Sequence, residues 1–94
     1  MDPEIREKLQ ILLQKKAEAV EREDFDEAMQ FKEISDKLKM IGSDLSLLET
    51  RKVQAVTSED FETAKAIKAQ IEQMKTLVVN LNPHDPFYVE TQQD

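Results

Sequence analysis

The sequence has no cysteine and no tryptophan, and only one glycine and three prolines among its 94 residues. Without cysteine the chain can form neither a disulfide nor a thiolate metal site, which is typical of proteins from a reducing compartment. Little glycine and proline leaves long stretches uninterrupted for helix. No apolar run reaches the roughly 20 residues needed to cross a bilayer, and the acidic N-terminus lacks the pattern of a secretory signal. We therefore expect a helical, cytoplasmic protein.

Basic residues are also in short supply. The formal net charge is −7, from 20 acidic and 13 basic residues. It is uneven: residues 1–41 carry 11 acids and 8 bases (−3), residues 42–79 carry 6 and 5 (−1), and residues 80–94 carry 3 and 0 (−3). Phosphate backbones and anionic membranes both attract basic surfaces. The charge therefore argues against a nucleic acid or a membrane as partner.

Residues with catalytic or metal-binding chemistry are scarce. His84 is the single histidine, and it lies in a segment with no helical period. The acidic pairs Glu23-Asp24 and Glu59-Asp60 fall at turns open to solvent, where nothing would raise the pKa of a carboxyl group to suit acid–base catalysis. No glycine-rich phosphate loop is present. We expect no enzyme, no cofactor and no metal site.

One segment of the chain occurs twice, with a period of 36 residues. A period of this length, with a helical pattern on both sides of a short acidic turn, indicates tandem helical hairpins. The matched pairs are Leu9/Leu45, Leu12/Leu48, Lys16/Lys52, Ala19/Ala55, Val20/Val56, Glu23/Glu59, Asp24/Asp60, Phe25/Phe61, Ala28/Ala64, Lys32/Lys68 and Lys39/Lys75.

Apolar residues spaced alternately by three and four predict three amphipathic stretches with coiled-coil-like seams. Asp2 followed by Pro3 is a favourable helix start. The fold class is therefore all-α, with tandem antiparallel helical hairpins. The seams are Ile5, Leu9, Leu12, Lys16 and Ala19; then Phe31, Ile34, Leu38, Ile41, Leu45 and Leu48; then Ile67, Ile71, Met74, Val78 and Leu81.

Gly42 leaves two arrangements open. A C-cap at Gly42 with Ser43 as a new N-cap would divide the middle stretch, giving four helices and a bundle. The unbroken heptad favours one long helix instead, in which Gly42 costs about 1 kcal/mol. The predicted units are a first hairpin over 1–41, a second over 42–82 and an extended acidic tail over 83–94.

The acidic turns carry the predicted structural residues of each hairpin. Asp24 is expected to cap the second helix, with Glu27 in the place of a capping-box acid. Phe25 is expected to plug the open end of the hairpin, out of water, and Ala28 to let the helices approach closely. The equivalent residues of the second turn are Asp60, Phe61 and Ala64.

The pattern Ala19-Val20-x-x-Glu23-Asp24-Phe25-Asp26-x-Ala28, repeated from Ala55 to Ala64, resembles the UVR motif. That motif is a helical hairpin that joins subunits in bacterial excision repair. It also occurs in bacterial protease–chaperone adaptors and in centrosomal and ciliary proteins. The doubled arrangement is most similar to the helical segment of the 104-kDa centrosomal protein family. The resemblance covers roughly residues 9–78.

The resemblance implies a non-enzymatic protein–protein interaction or scaffold module of a ciliary or centrosomal, microtubule-associated protein. Its location would be cytoskeletal and its partners proteins of the ciliary tip or centrosome. Two alternatives remain open. One is a homo-oligomerisation element, since small helical domains often need a partner for stability. The other is a UVR-type adaptor in bacterial excision repair or regulated proteolysis.

Two further features are candidate binding surfaces. Ile11 and Leu47 match in the repeat but lie off the main seams, so they belong either to a wide buried stripe or to a second apolar face for self-association. In the tail, Phe87 and Tyr88 follow Asp85-Pro86 and resemble the Asp-Pro-Phe peptides that endocytic adaptors bind. The alternative is that Phe87 folds back onto the bundle.

Overall fold

The computed structural model describes residues 2–81, which form three α-helices and no strand. They are α1 (Pro3–Glu21), α2 (Phe25–Thr57) and α3 (Phe61–Asn80). α1 packs against α2 and α2 against α3, whereas α1 and α3 barely meet. The molecule has principal-axis extents of 55 × 31 × 17 Å. The all-α prediction is confirmed, and the packing is hairpin-like.

An aspartate precedes each helix and caps it. Oδ1 of Asp2 accepts a hydrogen bond of 2.8 Å from the backbone N–H of Glu4, and Pro3 occupies the first helical position. Asp24 and Asp60 cap α2 and α3 in the same way. Each cap satisfies a backbone donor that the helix itself leaves without a partner. These three helix starts were all predicted from the sequence.

All the predicted seam residues except the half-buried Lys16 belong to one continuous core. Leu48, Met74 and other partly buried residues pack against its fully buried members. Ile5, Leu12 and Leu38 are the largest side chains with almost no exposure. The buried apolar residues of the cluster are Ile5, Leu9, Leu12, Ala19, Ala28, Phe31, Leu38, Leu45, Ile67, Ile71 and Val78.

α2 runs through Gly42 without interruption, so the arrangement has three helices rather than four. Gly42 does not adopt a positive φ, and a C-cap of the type considered above would require one. The glycine is buried and lines one groove together with Asp2 and Pro3, where α1 begins. Without a side chain, it adds no bulk between α2 and the start of α1. The proposed boundary between residues 41 and 42 falls inside this helix, and the division into two units stays a prediction.

Two neighbouring rows of side chains on α2 differ in burial. The row with Ser35 and Gly42 is buried. The row with Ile34 and Ile41 is partly buried and lies beside the end of α3. The buried hydroxyl of Ser35 donates a hydrogen bond of 2.9 Å to the carbonyl of Phe31, four residues earlier. Ser35 and Gly42 are thus core positions of α2, and the hydroxyl of Ser35 is satisfied.

A polar contact joins the beginning of α1 to the end of α3. Nζ of Lys8 donates a hydrogen bond of 2.6 Å to the backbone carbonyl of Leu81. The two residues are 73 positions apart in sequence. The beginning of α1 and the end of α3 therefore both lie near the middle of α2, where they touch.

Candidate functional site

The two connections between helices have the same backbone conformation. We call Ala19–Ala28 the first corner and Ala55–Ala64 the second corner. Glu23 has φ 62° and Glu59 has φ 61°, and these are the only non-glycine residues with positive φ in the described part of the chain. The left-handed region is unfavourable for residues with a Cβ atom. The repeat in sequence is therefore also a repeat in local geometry.

Backbone hydrogen bonds close both corners. The N–H of Asp24 donates to the carbonyl of Ala19 at 2.8 Å, and that of Asp60 donates to Ala55 at 2.8 Å. The N–H of the left-handed glutamate donates three residues back, to Val20 at 2.9 Å and to Val56 at 3.0 Å. This pair of bonds satisfies carbonyls that the helix end would otherwise leave open.

The same aspartates then start the next helices. Oδ1 of Asp24 accepts from the N–H of Glu27 at 3.1 Å, as a capping box requires. Glu27 does not complete the reciprocal half, because its carboxylate pairs with Arg22 while the N–H of Asp24 is used by Ala19. In the second corner, Thr63 donates from its N–H at 3.2 Å and from its hydroxyl at 2.8 Å to the Asp60 carboxylate.

Small residues fill the space inside the corners. Ala19 is fully buried and Ala28 and Ala55 are nearly so, while Ala64 is half-buried. The predicted close approach at Ala28 agrees with this burial. Ala64 takes the equivalent place in a corner that is more open.

The prediction that the two phenylalanines plug the hairpin ends is wrong. Phe25 is 59% exposed and Phe61 is 62% exposed. Each is the first residue of its helix, directly after the capping aspartate. Backbone hydrogen bonds close each corner, with alanines on its inner side, and more than half of each ring lies in solvent. The rings are therefore not the plugs that close the hairpin ends.

These phenylalanines belong to the only pairs of large apolar residues that are exposed in both copies of the repeat, over residues 2–81. The other pair is Val20 and Val56, which are exposed to the same extent. Sequence reasoning placed the valines in the repeat but did not treat them as surface. Their position one turn before the acidic residues, off the seam of Ala19 and Ala55, is the signal that could have identified them.

The two other candidate surface residues within residues 2–81, Ile11 and Leu47, differ in exposure. Ile11 is half-buried, whereas Leu47 is half exposed at the edge of a groove with Met74. The two matched residues therefore do not form equivalent parts of one apolar face. Phe87, Tyr88 and His84 lie outside the described residues.

One surface ion pair, between Lys32 and Asp36, affects the pKa of the Asp36 carboxyl group. Nζ of Lys32 donates to Oδ2 of Asp36 at 3.0 Å. This hydrogen bond, with the positive charges of Lys32, Lys39 and Lys16, lowers the pKa of Asp36 below its ordinary value of 3.8. Both side chains are more than half exposed, so the pair is an ordinary helix-surface interaction.

Residues 2–81 contain neither a metal-binding cluster nor a helix that could cross a membrane. No group of three or more histidine, cysteine or acidic residues is placed to hold a metal ion there. In the same range, no helix combines the length and the apolar character that a membrane crossing requires.

Comparisons of the chain with protein-family models, with curated proteins and with solved structures gave no significant match. The geometry of the two corners is therefore the main ground for a functional proposal.

Proposed function

We propose that this chain is a non-enzymatic protein–protein interaction module, a tandem pair of UVR-like hairpins, of a ciliary or centrosomal microtubule-associated protein. The observation that carries the proposal is the duplicated corner. The same exposed valine and phenylalanine recur on the same backbone geometry at both hairpin ends. Single exposed apolar residues need no explanation, but the exposure of the same pair at both corners points to a binding role.

Aromatic residues are enriched among the anchors of protein interfaces, where one ring can supply much of the binding energy. Phe25 and Phe61 have this character, because each offers a rigid ring beside acidic residues. The acidic rim of each corner suits a partner with complementary basic residues, which would set the orientation of binding.

The length of α2 sets the distance between the two anchors. Its 33 residues span about 50 Å at 1.5 Å per residue. A partner with two matching pockets at this separation would therefore bind bivalently. Bivalent attachment raises the overall affinity well above that of one corner.

The test uses the full chain expressed in ciliated cells, as wild type and as Phe25→Ser, Phe61→Ser and the double variant. We expect the wild type to accumulate at the centrosome or ciliary tip and to recover a defined protein. Loss of one aromatic anchor costs about 2 kcal/mol, so each single variant should bind purified partner roughly 30-fold more weakly. The double variant should not accumulate.

Met40→Ser is the matched control, because Met40 is 67% exposed and lies on α2 away from both corners. It should bind and localise as the wild type does. Helix content by circular dichroism should be unchanged in all variants. Recovery of the same proteins by the wild type and the double variant, or no accumulation of either, would refute the proposal.

A second candidate function is homo-oligomerisation. The observation that favours it is the number of exposed large apolar side chains on a small chain, including Leu47, Val53 and Leu77. Sedimentation equilibrium decides between the two functions. A mass near 10.9 kDa at high concentration would exclude self-association, whereas a dimer sensitive to Leu47→Ser would support it.

A further inference from the structure

An apolar groove lies near the middle of the molecule, between α2 and the end of α3. We call it the mid-rod groove, and we propose that its occupant is the chain's own segment 82–94. The proposal is separate from partner binding at the corners, which lie at the other ends of the helices. The groove is lined by Ile34, Lys37, Leu38, Ile41, Leu77, Asn80 and Leu81.

The size and lining of the groove suit an aromatic side chain. Its volume is about 240 Å³, below the range of about 300–1,000 Å³ for small-molecule sites. Leu77 is 60% exposed on its wall, and Ile34 and Ile41 are only partly buried. An aromatic ring here would remove from water apolar surface that the helices themselves leave uncovered.

Segment 82–94 begins at the mid-rod groove itself. Leu81 lines the groove, and residue 82 follows it directly. Phe87 and Tyr88 are six and seven residues further on, which is a reach of up to about 20 Å for an extended chain. The groove wall from Ile34 to Ile41 is seven helical residues, or about 10 Å. The aromatic pair can therefore return to the groove without any change in α3.

The charges of the segment and the groove are complementary. Residues 82–94 contain the acids Asp85, Glu90 and Asp94 and no lysine or arginine. Lys37 lines the groove, and Lys8 lies beside it through its hydrogen bond to the Leu81 carbonyl. Attraction between these acids and lysines favours docking of segment 82–94. An acidic surface of a second copy would be attracted in the same way, but it is not attached to the groove.

Attachment also gives segment 82–94 an advantage over a second copy of the chain in binding to the groove. Attachment through a connection of a few residues gives an effective concentration in the mM range. A weak contact with an intrinsic Kd of about 1 mM would therefore keep the groove at least half occupied. A second copy would need a comparable protein concentration in solution to compete.

The experiment uses the absence of tryptophan from the chain. In Phe87→Trp, the single indole reports on its surroundings by its emission wavelength and by acrylamide quenching. We expect emission at shorter wavelength, and quenching about threefold weaker, than in the control Thr91→Trp, because the docked ring is shielded from water. Both should be independent of protein concentration.

A second pair of variants links the signal to the groove. Leu77→Ser in the Phe87→Trp background should return the emission to that of Thr91→Trp. Val79→Ser, an exposed position of the same helix that does not line the groove, should leave it shifted. Equal emission and quenching of the two tryptophan reporters would overturn the proposal. A shift that appears only as protein concentration rises would also overturn it, and would assign the groove to a second copy.

Discussion

Glu23 and Glu59 hold a backbone conformation that glycine usually holds at the end of a helix. A residue with a Cβ atom in the left-handed region costs about 1–2 kcal/mol. Both copies of the repeat nevertheless use glutamate, and both place a capping aspartate directly after it. The cost is offset locally by two backbone hydrogen bonds and a cap in each corner.

Replacing this glutamate tests the corner geometry. Glu23→Gly should raise the free energy of unfolding by about 0.5–1 kcal/mol, because relief of left-handed strain exceeds the added entropy of the unfolded chain. For a domain of this size, such a change raises Tm by about 2–8 °C. Thermal unfolding followed by circular dichroism measures it.

The matched control is Glu33→Gly, at an exposed position inside α2. Here glycine brings no relief and should lower stability by about 1 kcal/mol. If both glycine variants are equally destabilised, Glu23 is not in the left-handed region.

At this scale the sequence was informative wherever an interaction is local. The caps at Asp24 and Asp60 follow from a side chain bonding to an N–H three residues on, which one helix turn determines. The exposure of Phe25 and Phe61 depends on which neighbours the folded chain places around each ring. Those neighbours come from more than one helix, so no local pattern contains the exposure.

The continuous α2 is the element on which both other helices pack. The sequence left a break at Gly42 open, and its unbroken heptad favoured the continuous helix that the structure shows. The repeat places Ser35 and Gly42 opposite the seam residues Ile71 and Val78, but the predicted seam of α2 used Ile34 and Ile41 instead. Their burial follows from the approach of another helix, which small residues allow and large ones prevent.

Substitutions at Gly42 separate its effect on helix propensity from its effect on packing against α1. Gly42→Ala should raise stability by up to about 1 kcal/mol, since its φ is not positive and alanine favours helix. Gly42→Leu should lower stability by about 1–3 kcal/mol, because a large side chain is forced against the start of α1. Urea unfolding measures both.

Ser43→Leu is the control, because Ser43 is the exposed neighbour. It should change stability by less than about 0.5 kcal/mol. Loss of stability in Gly42→Ala as large as that in Gly42→Leu would contradict this account, because residue 42 would then tolerate no Cβ atom at all.

In the molecule as a whole, the packing of α1 and α3 on opposite halves of one helix separates the two corners. Each corner closes through its own hydrogen bonds, and one long helix fixes the distance between them. This arrangement gives a rod with an exposed phenylalanine at each corner and an apolar groove near its middle. The sequence predicted the helices and their seams, because periodicity records which face is buried. It could not predict the groove, which arises only where the end of α3 meets α2.

The distance between the two halves of α2 is the most direct test of this arrangement. Because the chain lacks cysteine, spin labels can be placed on Met29→Cys and Val53→Cys, at exposed positions near the two corners. Double electron–electron resonance should give a narrow distribution near 36 Å, from 24 residues at about 1.5 Å each. A distribution centred below about 20 Å, as expected for two hairpins folded face to face at Gly42 with axes about 10 Å apart, would contradict the account.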